Sequence, residues 1–140
     1  MEYRVFDSAL IVRMDPDEEV MEQLKIVCEK ENIQLAQVSA LGALKEFTVG
    51  LFNTQTKEYK ANTFTFPSEI TSLWGTVTTQ EGAFYPHIHM SAADETGREY
   101  GGHLQRAVIS ATVEMVITPI AGKVEREFSP AIGLNLMKFI

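Results

Sequence analysis

The feature that most constrains the fold is the run of short strand-like segments that follows Asn32. Turn residues separate segments rich in β-branched and aromatic residues, which is typical of strands. The segments are IQLAQVSALG, EFTVGLFN, EYKANTFTF, EITSLWGTVT, FYPHIHMSAAD, REYGGHL and AVISATVEMVITPI. Connections as short as NTQTK and TQEG suit only antiparallel neighbours. This part of the chain therefore predicts a mainly antiparallel, strongly bent sheet.

A helix is predicted before this sheet, after a buried strand at ALIVRM. In the segment DPDEEVMEQLKIVCEKEN, Asp15 can cap a helix, Pro16 suits the first helical position, and Glu18 can complete a capping box. Apolar side chains then recur at helical spacing. They are Val20, Met21, Leu24, Val27 and Cys28. We predict one amphipathic helix over about Pro16–Glu31.

Together these segments predict an α+β fold, in which a mainly antiparallel bent sheet carries one main helix on one face. A length of 140 residues suits one domain with its own hydrophobic core. No internal repeat, linker or low-complexity tract interrupts the chain. We therefore predict a single domain over residues 1–140.

Composition narrows the classes of partner. The formal net charge is −7 at pH 7, whereas proteins that grip duplex DNA neutralise phosphates with Lys and Arg, so unaided nucleic-acid binding is disfavoured. The single cysteine, Cys28, cannot form an internal disulfide. Neither a leader pattern nor an apolar run of bilayer length is present. We expect a cytoplasmic protein without a membrane segment and without P-loop, GxGxxG or GxSxG chemistry.

All three histidines of the chain fall within the segment PHIHMSAADETGREYGGHL. Because side chains alternate along a strand, His87 and His89 project to the same face. An H-x-H pair is by itself a weak signal, since isolated histidines are usually ordinary surface or core residues. A polar or pH-sensitive cluster is thus the alternative to a metal site.

The turn between the histidines favours the metal site. Gly97 fits the left-handed position of a type I turn with a bulge, which pairs Asp94 with Arg98. Counting along that ladder places His103 opposite His89. Three imidazoles then converge from two strands, and neutral imidazole is a preferred ligand of zinc and related divalent ions. Three ligands leave one position of a tetrahedral shell open, as in catalytic or ligand-binding sites.

Two glycines before the third histidine support this interpretation. Gly101 and Gly102 weaken a strand unless a bend or a close approach of ligand or backbone needs the space. We therefore include both among the candidate pocket residues beside His103.

Four other residues are weaker candidates. Glu114 lies in an otherwise apolar strand, where it is either a partner or general base for the metal site, or an ordinary exposed or paired carboxylate. Arg98 and Arg106 flank the glycine-histidine segment and could bind an anion, although a solvated position is the simpler interpretation. Ser72 could line the pocket, but packing around Trp74 is the more ordinary role.

Five segments in this order resemble the PPC (plants and prokaryotes conserved) domain, also called DUF296. They are RMDPDEEVMEQL, VSALGAL, EITSLWGTV, HIHMSAADETGREYGGHL and AVISATVEMVI. The resemblance covers nearly the whole chain, and the H-x-H with a downstream G-G-H is its most specific part. It implies an α+β domain that assembles as a trimer, with a metal site at His87, His89 and His103. Plant members carry the domain behind basic AT-hooks, and this sequence contains no R-G-R-P hook.

Two functions stay open at this point. The first is a homotrimer with a three-histidine site for a divalent metal, for which the ligand set favours zinc, and with room for a small anionic ligand. The second is an oligomeric DNA-associated or regulatory module without catalysis. A purely structural metal is a third possibility, which would show as loss of the trimer on chelation.

Overall fold

A computed structural model describes residues 1–139 of the protein. Nine strands and one helix follow one another within these residues. They are β1 (Glu2–Val5), β2 (Leu10–Met14), α1 (Val20–Lys30), β3 (Ala36–Asn53), β4 (Glu58–Phe64), β5 (Ser68–Gln80), β6 (Ala83–Ala93), β7 (Glu99–Pro119), β8 (Glu125–Ser129) and β9 (Leu134–Lys138). The predicted α+β class is confirmed, with one helix against a predominantly antiparallel sheet.

The described strands belong to one sheet in the order β1-β2-β7-β3-β5-β8-β9. Strand β4 pairs with β3, and β6 pairs with both β5 and β7. Strands β3, β5, β6 and β7 therefore pair in a ring, so that the sheet curls back on itself. One parallel contact, between Thr79 and Glu125, joins β8 to β5. This contact ties the C-terminal hairpin, β8 with β9, to the rest of the sheet.

Two strands are longer than the sequence predicts. The segments IQLAQVSALG and EFTVGLFN fall largely within β3, and REYGGHL and AVISATVEMVITPI fall largely within β7. The register between β3 and β7 shifts at Gly42–Leu44, at Leu44–Glu46 and at Thr48–Val49. Such bulges bend a strand without ending it, so residues that looked like turns are bends within continuous strands. The prediction of a strongly bent sheet is correct, but its division into strands was wrong here.

The helix begins later than predicted, at Val20 instead of Pro16. Its N-cap is Glu19, whose carboxylate accepts hydrogen bonds from the backbone N–H groups of Met21 and Glu22, at 3.1 and 2.8 Å. This satisfies two of the amide groups that a helix start leaves without partners.

Pairing with β7 explains the late start. The N–H of Asp17 donates to the carbonyl of Ile109, and the N–H of Ile109 donates to the carbonyl of Glu18. Asp17 also has a φ of 71°, outside the right-handed helical region. The expected bond from the Asp15 N–H to the Glu18 carboxylate is present at 2.8 Å, but it closes a turn instead of a helix. Tertiary pairing thus overrides the local helix signal.

Apolar side chains of the helix pack into the core against the sheet. The buried helix residues are Val20, Leu24, Val27 and Cys28, and burial raises the pKa of the Cys28 thiol to about 12, which leaves it unreactive. The opposite side chains of the strands form an outer sheet face that α1 does not cover. No helix within residues 1–139 is long and apolar enough to cross a membrane.

Candidate metal-binding site

The histidines converge as the turn predicts. His89 on β6 pairs directly with His103 on β7, which confirms the predicted register. The ring centroid of His87 lies 5.2 Å from that of His89 and 5.3 Å from that of His103. The centroids of His89 and His103 are 5.7 Å apart. One nitrogen of each ring lies within 4.8 Å of the other two. Three imidazoles therefore face one point from two adjacent strands.

The hairpin turn holds this register in place. Gly97 has a φ of 80°, and its N–H donates to the carbonyl of Asp94. The Asp94 carboxylate accepts hydrogen bonds from the backbone N–H groups of Thr96 and Arg98, at 2.8 and 3.1 Å. The hydroxyl of Thr96 also donates to this carboxylate, and it and the two backbone bonds hold the pKa of Asp94 below its usual value. An ionised, fully bonded Asp94 thus ties the two strands that carry the histidines.

The glycines allow close approach of backbones, as expected. A Cβ atom on Gly102 would lie 2.6 Å from the carbonyl oxygen of Gly50 on β3. A Cβ atom on Gly101 would lie 2.8 Å from the carbonyl oxygen of Met90 on β6. Any larger residue would push β7 away from one neighbour or the other, and His103, the next residue along β7, would move with it.

Burial keeps two of the imidazoles neutral. The pKa of His87 is lowered from its ordinary value by partial burial, then by the positive charge of Arg126 and by the two neighbouring rings. The pKa of His103 is lowered by partial burial and by His89. Since only a deprotonated ring nitrogen binds a metal, both side chains are in the metal-binding form at neutral pH.

Tyr59 on β4 covers one side of the cluster. Its ring stands edge-on to His103, with centroids 6.1 Å apart, and its hydroxyl reaches the backbone carbonyl oxygen of His103 at 3.4 Å. Burial raises the pKa of this phenol, so it stays protonated. The ring occupies the space above Gly50, where a side chain would collide with it. Sequence reasoning missed Tyr59 because β4 carries no motif that links it to the histidines.

The cluster opens into a cavity of about 780 Å³, a volume typical of small-molecule sites. Its walls combine the histidine strands, part of β3 and the C-terminal hairpin. The lining residues are Gly50, Leu51, Phe52, Tyr59, Tyr85, His87, His89, Gly101, Gly102, His103, Gln105, Arg126, Leu134, Asn135, Leu136 and Met137. Arg126 is the one lysine or arginine among these lining residues, and none of the described residues that line the cavity carries a carboxylate.

Arg126, which lies on β8, was not among the residues that the sequence motifs pointed to. Its side chain is buried, with 8% exposure, and its Nε donates to the hydroxyl of Thr78 at 2.9 Å. Its Nη1 donates to the carbonyl of Asn135 at 3.1 Å, and the guanidinium lies over the ring of Tyr85 at 4.9 Å. No strand was predicted at β8 or β9, and this hairpin alone brings Arg126 to the cavity.

The weaker sequence candidates lie elsewhere. Glu114 is exposed on β7, eleven positions beyond His103, and pairs across the sheet with Arg13. The structure therefore does not place its carboxylate beside the histidines, because β7 is long and carries the two residues at different ends. Arg98 lies in the exposed hairpin turn, and Arg106 forms an ion pair with Glu46 at 3.3 Å.

Ser72 shares the histidine face of β5 but does not line the cavity. It pairs with Ser91, one step further from the cluster than Trp74, which pairs with His89. Gly101 and Gly102 do line the cavity, as expected. The structure thus brings together the three histidines and both glycines, and leaves Glu114, Arg98 and Ser72 outside.

The bent sheet and its cluster of three imidazoles define a small α+β protein with a histidine-lined cavity. Residues 1–121 match the profile of the Plants and Prokaryotes Conserved (PCC) domain, and the chain belongs to this family. The resemblance seen in the sequence motifs is therefore confirmed.

Solved structures of similar proteins cover almost the whole chain. A proposed DNA-binding protein from Bacteroides thetaiotaomicron is 27% identical, with 99% of this chain and 96% of that chain covered and a TM-score of 0.96. A metal-containing protein from Archaeoglobus fulgidus is 30% identical, with 99% and 97% covered and a TM-score of 0.87.

A curated relative is much longer. The bifunctional protein GlmU of Synechococcus sp. (strain JA-3-3Ab) is 30% identical over 125 residues, which is 87% of this chain. The chain spans only 19% of the length of that protein.

Proposed function

We propose that the protein is a homotrimer in which His87, His89 and His103 bind one divalent metal ion, with zinc preferred, beside room for a small ligand. The observation that carries this proposal is the convergence of three imidazoles on one cavity. Similarity to a protein of Archaeoglobus fulgidus that is described as metal-containing supports it.

The residues present fit such an ion. Their nitrogens lie within 4.8 Å of one another, and small ring rotations bring them to the spacing of roughly 3.4 Å that a tetrahedral zinc shell requires. Lowered pKa values keep the His87 and His103 rings neutral. A set of three imidazoles suits zinc better than magnesium or calcium, which prefer oxygen ligands.

Ligand binding is the activity that this cavity supports best. A bound ion would supply Lewis acidity at its open position. The chain's own residues would hold the ion through three imidazoles and would line the space beside it with apolar side chains such as Leu51 and Leu134. Among the described residues that line the cavity, no carboxylate is available as a general base. We therefore propose metal-dependent binding of a small molecule and assign no catalytic residue.

Metal analysis of the purified protein tests this function directly. One equivalent of zinc per chain, lost on substitution of the histidines, is the expected result. If the metal is purely structural, chelation dissociates the trimer. If it serves ligand binding, the trimer survives chelation.

An exposed apolar stripe supports the trimer. Ile11, Val116 and Trp74 lie in one cross-strand row of the outer sheet face, with Ser39 between the last two. Their exposed fractions are 45%, 38% and 56%. The row continues to His89 on β6. Contiguous exposed apolar residues mark interaction surfaces, so we propose that this outer-face stripe packs against a second copy of the chain.

Replacing Gly102 with valine should weaken metal binding through the backbone. The new side chain would meet the Gly50 carbonyl, and overpacking of this kind costs about 1–3 kcal/mol of unfolding free energy. We expect lower stability in urea and at least tenfold weaker zinc binding, measured by competition with a chromophoric chelator. Gly97→Ala is the control, since it strains a positive φ in the same hairpin but has open space around it. It should lose stability and keep wild-type zinc affinity; equal affinity in both variants would contradict this account.

The alternative function is a DNA-associated module, which the name of the relative from Bacteroides thetaiotaomicron favours. Charge argues against it in this chain. Six of the twelve lysines and arginines are already ion-paired with carboxylates, at Arg13, Lys25, Lys45, Arg106, Lys123 and Lys138. Within residues 1–139, the other six, one of which is the buried Arg126, are left to neutralise phosphates. A mobility-shift assay on duplex DNA at several salt concentrations separates the two functions, and we expect no shift even at low salt.

A further inference from the structure

Arg126 carries a donor group that the protein does not use. Its side chain is 8% exposed. Its Nε and Nη1 donate to Thr78 and Asn135, whereas Nη2 has no hydrogen-bond partner among residues 1–139. A buried charged donor without an acceptor is costly, so its presence beside a cavity needs a structural or functional explanation.

The position of this donor connects it to the histidines. The guanidinium lies over the ring of Tyr85, at 4.9 Å from the centroid. Tyr85 and His87 project to the same face of β6, two positions apart, which is about 7 Å along a strand. The same cavity is lined by all three side chains. One small molecule can therefore contact Arg126 and the histidine cluster at the same time.

The positive charge in the cavity favours an anionic ligand. Within residues 1–139, Arg126 forms no ion pair with a carboxylate, and none of the residues that line the cavity is acidic. A divalent ion on the histidines would raise the positive charge further. The chain as a whole carries a formal charge of −7, so this cationic cavity is a local feature that the composition hides.

We propose that the ligand of the cavity is a small carboxylate whose carboxylate group pairs with the guanidinium of Arg126 and whose second oxygen group faces the three histidines. The proposal rests on the metal-binding function stated above. Guanidinium and carboxylate match in geometry and charge. The apolar side chains of Leu51, Leu134 and Leu136 suit the carbon skeleton between the two groups.

A phosphate fits the cavity less well. Protein sites for phosphate gather several N–H donors, commonly at a helix N-terminus or a nest of backbone amides. The cavity lining contains no residue of α1. It offers one guanidinium with one unpaired nitrogen, which matches a singly charged carboxylate better than a phosphate dianion.

Calorimetric titration of the zinc-loaded protein tests the proposal. Acetate, malonate, succinate and inorganic phosphate are titrated separately at low ionic strength into the wild type, Arg126→Gln, Arg126→Lys and Arg106→Gln. We expect malonate or succinate to bind more tightly than acetate and phosphate. Loss of a charge-assisted hydrogen bond should weaken this binding roughly ten- to a hundredfold in Arg126→Gln. The affinity of Arg126→Lys should lie between those of the wild type and Arg126→Gln, because lysine keeps the charge and loses the planar donor group.

Arg106→Gln is the matched control. It removes the same charge from an exposed residue that pairs with Glu46 outside the cavity, so it should bind the dicarboxylates as the wild type does. Zinc content and circular dichroism of each variant show whether the site and the fold are intact. If Arg126→Gln does not fold, the proposal is tested by comparing the dicarboxylate affinity of the wild type with that of Arg126→Lys.

Several results would overturn the proposal. They are a zinc-loaded wild type that binds none of the carboxylates, equal weakening by Arg126→Gln and Arg106→Gln, or phosphate binding at least as tight as the best carboxylate. Failure of the metal-binding function looks different, because the wild type would then take up no zinc. If the wild type takes up no zinc, the same carboxylates are titrated into the metal-free protein. Carboxylate binding that depends on Arg126 would persist there without metal.

Discussion

His103→Ala is expected to abolish tight zinc binding while the fold stays intact. His103 supplies one of three imidazoles, lies directly opposite His89, and faces His87 at a ring separation of 5.3 Å. Changes to groups that merely orient metal ligands cost roughly 10- to 100-fold in affinity, so removal of a ligand itself should cost more than a hundredfold. Metal content after dialysis and competition with a chromophoric chelator measure the effect.

Gln105→Ala is the matched control for this substitution. Gln105 lines the same cavity two positions further along β7 and is exposed, and its loss leaves all three imidazoles in place. It should keep one equivalent of zinc, whereas His87→Ala and His89→Ala should behave like His103→Ala. The metal-binding proposal fails if His103→Ala binds zinc as tightly as the wild type. It also fails if the wild type cannot be loaded with zinc, manganese, iron or nickel.

Trp74→Glu is expected to convert the proposed trimer into monomers. Trp74 is the largest side chain of the outer-face stripe and is 56% exposed in the single chain. Aromatic residues of this kind contribute 2 kcal/mol or more at many interfaces, and like charges brought together there add a repulsion of several kcal/mol. Size-exclusion chromatography with light scattering should show the mass fall from three chains to one chain of 15.7 kDa.

Ile26→Glu provides the comparison for the oligomer. Ile26 is 43% exposed on α1, on the other side of the molecule's sheet from the outer-face stripe, and glutamate is a good helix former. This variant should remain trimeric. A monomeric wild type would refute the trimer itself, and a trimeric Trp74→Glu variant would refute the stripe as its interface.

The sheet class could be predicted from local patterns because strand-like segments and short connections act over a few residues. The same patterns could not decide where a strand bends and where it ends. A bulge at Gly42–Leu44 and a true turn near Asn53 both place small or polar residues between apolar runs. Only pairing with β7, which β3 follows along most of its length, shows that the first of these is a bend.

The start of the helix illustrates the same limit. Asp15, Pro16 and Glu18 form a good local start signal, and the predicted bond from Asp15 to Glu18 exists. Backbone bonds between Asp17 and Ile109 and between Ile109 and Glu18 nevertheless hold this segment on β7. A local signal worth about 1 kcal/mol gives way to long-range pairing that the sequence does not display. The cytoplasmic location, which was inferred from the single cysteine, stays a prediction.

The histidine site itself could be predicted from the sequence, because the two strands that carry it are joined by one short turn. Once Gly97 fixes the turn, strand alternation and antiparallel register determine which residues face each other. His89 and His103 are only fourteen positions apart, so few alternatives exist. Tyr59 and Arg126 could not be predicted as site residues, because they lie on strands that are distant in the chain and carry no motif.

The sequence by itself determined the α+β class and the three imidazoles on one hairpin, which depend on short-range periodicity and turn chemistry, and its motifs showed the family by resemblance. The tertiary structure alone decided which charged residue meets them. Arg98 and Arg106 are close to the histidines along the chain but point to solvent or to Glu46, while Arg126 is brought into the cavity by the β8–β9 hairpin. The physical reason is that long-range sheet pairing, set by burial and hydrogen bonding of the whole chain, leaves no local mark in the residues that it unites.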